Sequence, residues 1–68
     1  MKAEKWYKHK GGKFAYVKHI IYSSGDHPPF ASVTAHPEGT HHFIPEDKWH
    51  LFEEVTGNEL HALESSIL

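Results

Sequence analysis

The chain has 68 residues, a formal net charge of −2, 38% hydrophobic and 24% charged side chains, and no cysteine. Such a composition describes one small globular domain, residues 1–68, rather than a disordered segment. The lack of cysteine excludes disulfides, thiolate metal sites and cysteine nucleophiles, and no apolar run reaches the roughly 18 residues of a membrane span.

Charge is unevenly distributed. Residues 1–22 carry six lysines against Glu4, whereas residues 23–68 carry eight acids against Lys48. Arginine, the planar fork that reads guanine edges and phosphate pairs, is absent, which argues against sequence-specific nucleic-acid recognition. The opening Met1–Lys10 holds four lysines and no apolar signal core, so a cytoplasmic location is expected.

In chain order, Trp6 to Lys10 leads into the turn signal Gly11-Gly12-Lys13. Phe14 to Tyr22 is aromatic and β-branched and predicts a strand, with Lys18 and His19 breaking its alternation as at a bulge or edge. Ser23 to Pro29 is a loop on composition. Phe30 to His36 predicts a second strand, Pro37-Glu38-Gly39-Thr40 a tight turn, and Thr40 to Ile44 the returning strand.

After Ile44 the period changes. Pro45-Glu46-Asp47 suits a helix start, and Trp49, Phe52 and Val55 then recur at helical spacing. Gly57 would end that helix as a residue at positive φ. Asn58 would cap a second helical stretch with Leu60, Leu63 and Ile67 on one face, unless Ala62–Leu68 forms an edge strand. The expected class is α+β: a small curved antiparallel sheet or SH3-like barrel of three to four strands, one C-terminal helix across it, and an ambiguous tail. Trp49 and Phe52 are expected on the helix's inner face.

Two stretches resemble known families. Tyr7-Lys8-His9-Lys10-Gly11-Gly12-Lys13-Phe14, with His42-Phe43-Ile44-Pro45 and Phe52-Glu53-Glu54-Val55, resembles a small uncharacterised SH3-like-barrel domain family of bacteria and phages. That family opens on Tyr-x-His-x-Lys-Gly-Gly-x-Tyr and ends a late strand on Trp-x-Arg-Pro; His42 and Ile44 stand here at its tryptophan and arginine positions. The resemblance covers about residues 6–55 and implies a compact barrel and no activity. A phage-encoded chain would act in the host cytoplasm. In the tail, Thr56-Gly57-Asn58-Glu59-Leu60, then Glu64-Ser65 and Ile67-Leu68, is similar to the phage uracil-DNA glycosylase inhibitors. That likeness implies a DNA-mimicking strand carried by Glu64, Ser65 and Ile67.

Candidate chemistry is sparse. No serine sits in a nucleophile elbow, and Glu46-Asp47 and Glu53-Glu54 are sequence neighbours on a predicted helix, so each pair diverges. Gly11-Gly12-Lys13 lacks the spacing of a phosphate loop. No enzyme is expected. Eight histidines are the oddity of the composition. In a hairpin about Pro37–Thr40, His36 and His41 would face each other and, with His42, form the candidate zinc site; otherwise they are solvated strand residues and no cofactor is expected.

Nine aromatic residues exceed what so small a core encloses. Trp6 and Tyr7, flanked by Lys8 and Lys10, are therefore the first candidates for a partner-binding patch, and Tyr22 the second. The functional expectation is a non-enzymatic module that docks on another protein, a host protein if phage-encoded, and inhibits or recruits it. The alternatives are a glycosylase inhibitor using the tail, a histidine-based metal binder, and a single-strand nucleic-acid binder using Trp6, Tyr7 and the lysines.

Overall fold

A computed structural model describes residues 1–22 and 25–67, the side chain of Ile67 excepted. Five strands form one antiparallel sheet: β1 (Lys5–His9), β2 (Phe14–Ile21), β3 (Phe30–His36), β4 (His41–Pro45) and β5 (Phe52–Glu54), in the order β4-β3-β2-β1-β5. A 3₁₀ helix (Glu46–Leu51) joins β4 to β5, and α1 (Gly57–Ile67) ends the described chain. The class is α+β, as expected. The sheet is open: β4 and β5 occupy opposite edges, so no SH3-like barrel closes.

The hairpins follow the turn residues. Between β1 and β2 the Gly12 N–H donates to the His9 carbonyl at 2.8 Å, and Gly12 takes φ 95°, a value that favours glycine. Between β3 and β4 the Gly39 N–H donates to the Ala35 carbonyl at 2.7 Å, and the Ala35 N–H to the Thr40 carbonyl at 2.8 Å.

Two expectations fail. Trp6-Tyr7 belongs to a full strand, so the sheet has five strands rather than three or four. The Pro45–Val55 stretch is not one helix. Its first part is 3₁₀, and Phe52-Glu53-Glu54 pairs with His9-Lys8-Tyr7 as β5. The physical reason is non-local: without β5, the N–H and C=O groups of β1's outer side would have no ladder partners, and sheet pairing overrides local helical spacing. Gly57, at φ 65°, opens α1 instead of ending a helix. The tail is helical, as the Leu60 and Leu63 spacing suggests, and not an edge strand.

The sheet's two faces are unequal. On one face Tyr7, Ala15, Val17, Ala31 and Val33 form the buried cluster, closed by Met1, Ile20, Ile44, Trp49 and Phe52. Trp49 and Phe52 are half-buried lids, and the Trp49 Nε1–H donates to the Ile44 carbonyl at 2.9 Å. The opposite face carries Trp6, Phe14, Tyr16, Phe30, Ser32, Thr34 and Phe43, whose positions follow from the pairings Trp6↔Tyr16↔Thr34 and Ser32↔Phe43. Helix α1 stands at the Trp6 end of this second face, where its Leu60 and Glu64 line a recess with Trp6 and Tyr16, and Leu63 is buried. The Lys8 Nζ–Glu59 Oε2 pair at 3.3 Å ties α1 to β1.

Candidate functional site

The first candidate patch does not assemble. Tyr7 is 6% exposed and belongs to the core, where its hydroxyl accepts the Lys2 N–H at 2.8 Å. Its ring faces Ala15 on β2 and Glu54 on β5, which corrects its placement before the first strand. Trp6 is half-buried on the second face, tilted 56° against Tyr16 at 5.2 Å and edge-on to His36 at 5.8 Å. Lys8 pairs with Glu59 and stands 5.6 Å above the Phe14 ring. Lys10 is exposed in the first turn, and its N–H donates to the Leu51 carbonyl at 3.1 Å. Of the set only Tyr22, 78% exposed, offers a free ring.

The histidines are held apart by register. Thr34, not His36, lies opposite His41, and Val33 lies opposite His42. His41 and His42 are strand neighbours and project to opposite faces. The Lys18 Nζ donates to His41 Nε2 at 2.8 Å, His42 Nε2 lies 2.9 Å from Thr40 Oγ1, and His36 is engaged with Trp6. Among the described residues no group of three or more histidines or acids is placed to hold a metal ion. In the tail, Glu64 and Ser65 are exposed on α1 rather than on an extended strand, and the Ile67 side chain lies outside the described residues.

Two features were missed in the sequence. One is a bare apolar area at the β2–β3–β4 end of the second face. Ile21 pairs with Phe30, which pairs with Pro45, and Phe43 stands in the next row opposite the buried Ser32. Phe43 is 64% exposed, Ile21 and Phe30 lie partly open, and Tyr22, 78% exposed, follows directly after the end of β2. The signal was present: Phe43 and Ile44 are adjacent in a short strand, so one must point away from the core. Helix α1 reaches the Trp6 end of this face and leaves these rings uncovered.

The other feature is a recess of about 490 Å³ on the core face. Ala15, Val33, Ala35, Ile44 and Phe52 line it, with His9, His42 and the Lys13–Glu38 ion pair (3.4 Å). The small alanines of β2 and β3 leave the space that Phe52 and Ile44 only partly fill. His9 is fixed there: its Nδ1 accepts the Gly11 N–H at 3.0 Å and its ring packs edge-on to Phe52 at 4.9 Å. No helix among the described residues is long and apolar enough to cross a membrane.

Comparison of the chain with family models, curated proteins and solved structures yields no match.

Proposed function

We propose that this chain is a non-enzymatic protein-binding module that docks on another protein and blocks or recruits it. The observation that supports the reading is the uncovered row of Ile21, Phe30 and Phe43, with the exposed Tyr22 ring next in the chain, on a sheet whose other face packs the buried core. Aromatic side chains on a rigid strand give contact area at small ordering cost, and contiguous exposed apolar surface marks recognition sites. Lys18, His19 and His41 flank one end of the row, so the fitting partner presents an apolar cluster beside acidic side chains.

A photo-reactive side chain placed at Tyr22 or Phe43, compared with one at Lys10, tests the reading in lysate of the source cell. The expected result is one adduct from positions 22 and 43, suppressed by excess wild-type chain but not by a Phe43→Ser chain. Adducts from position 10 alone, or adducts that Phe43→Ser suppresses equally well, would overturn it.

A further inference from the structure

The two edges of the sheet are built differently. Strand β5 is three residues long and carries Glu53 and Glu54 side by side, the short, charged construction that discourages strand addition. Strand β4 is five residues long, carries no lysine or acid, and exposes Phe43 at its midpoint. Its only protective feature is Pro45 at the last position. An edge of this kind presents a row of backbone donors and acceptors to any incoming strand.

We infer that a second copy of this chain pairs antiparallel along β4, about a two-fold axis through Phe43, joining two five-stranded sheets into one of ten strands. Three observations carry this.

The first is backbone parity. Because the Ala35 N–H donates to the Thr40 carbonyl, residues 40, 42 and 44 direct their N–H and C=O groups to β3. Those of His41 and Phe43 therefore point outward. With the axis at Phe43, the two Phe43 residues exchange a pair of N–H···O=C bonds, and each His41 N–H meets the carbonyl of Pro45 in the other copy. Proline has no N–H to give, so each His41–Pro45 pair keeps one of its two bonds and the His41 carbonyl stays open to water.

The second is charge. Strand β4 begins at His41 beside Lys18, 2.8 Å away, and runs directly into Glu46 and Asp47. An antiparallel copy sets the basic start of each strand against the acidic end of the other, at both ends at once. A strand with opposite charge at its two ends is complementary to its own reverse, which selects a second copy over an unrelated strand.

The third is the side-chain pattern. Two Phe43 rings would stand opposite each other on the second face, an aromatic cross-strand pair, and Ile44 of each copy would face His42 of the other. Antiparallel pairing within one sheet keeps equivalent faces on the same side, so the two rows of exposed rings become one continuous surface. The pairing belongs to the edge and holds whether or not that surface docks a further protein.

Sedimentation of the purified chain over a concentration series tests this without any partner. The wild-type chain should shift from monomer to dimer mass with rising concentration. Phe43→Lys places two like charges at the axis and Phe43→Glu does the same with the opposite sign, so each alone should stay monomeric, and an equimolar mixture should recover dimers. His41→Pro removes an outward N–H together with the imidazole beside Lys18, and should weaken association while leaving the far-ultraviolet circular dichroism unchanged. Glu46→Lys with Asp47→Lys should weaken it as well. A wild-type chain that stays monomeric at every attainable concentration would overturn the inference. So would a Phe43→Lys chain that dimerises as well as wild type, or an equimolar mixture of the Phe43→Lys and Phe43→Glu chains that recovers no dimer.

Discussion

The two faces of the sheet are made of similar strands and hold side chains of different size. On the closed face the fully buried residues are small, Val17 and Val33 foremost, and the large rings Tyr7, Trp49 and Phe52 lie over and around them. On the other face large rings cross the whole sheet, yet α1 reaches only one end. Burial here follows what lies across from a residue and not how apolar it is. Ser32 is almost wholly buried between β2 and β4 while Phe43, directly opposite it, is mostly in solvent.

If the closed face carries the stability, its substitutions should dominate. Tyr7→Ala removes a buried ring and the acceptor of the Lys2 N–H, and should cost about 3–5 kcal/mol in urea denaturation. A loss below about 1 kcal/mol would mean the core does not depend on that ring. Val17→Ala, with no partner other than packing, should cost about 1.5–3 kcal/mol by the same measurement. On the open face, Thr34 has a buried hydroxyl with no hydrogen-bond partner. Thr34→Val keeps the shape and should raise stability by about 1 kcal/mol, and a fall would show that the hydroxyl is satisfied in solution. Phe43→Ser, finally, should change the unfolding free energy by less than about 0.5 kcal/mol at concentrations where the chain is monomeric. A loss comparable with that of Val17→Ala would erase the distinction between the faces.

Much of this architecture is legible in the residues. Strands β2, β3 and β4 fall almost where aromatic and β-branched runs meet Gly and Pro punctuation, and the α1 register follows from Leu60 and Leu63. What is not legible depends on pairing between distant segments. Tyr7 looks like a surface aromatic among lysines because Ala15 and Glu54, its neighbours across β2 and β5, come from elsewhere in the chain. Phe52 and Val55 keep helical spacing from Trp49, but β1's open side draws the segment into a strand. The histidines fail as a cluster for a subtler reason: a shift of two positions in the β3–β4 register sets Thr34, not His36, against His41. The bare Phe43 row and the unprotected β4 edge exist only once the strand order is known.

One residue of β2 has a wider consequence. Val17 pairs with Val33 and His19 with Ser32, so Lys18 is the extra residue of a bulge, and beyond it the strand's inward side switches from odd to even positions. Ile20 thereby lands over the core beside Ala31, and Ile21 lands outside. Had Lys18 been an ordinary member of the ladder instead of an extra residue, the present Ile21 would have taken the inward place, and the interior would have received an isoleucine in either case. The far half of β2 is thus written as a phase-neutral phrase, the same word repeated. Its reading frame is dictated by the partner strand, where tiny Ala31 and bulky Phe30 are not interchangeable. Insertions or deletions near position 18 should therefore be absorbed by the interior and felt at the surface, where they would change which rings and charges the molecule shows.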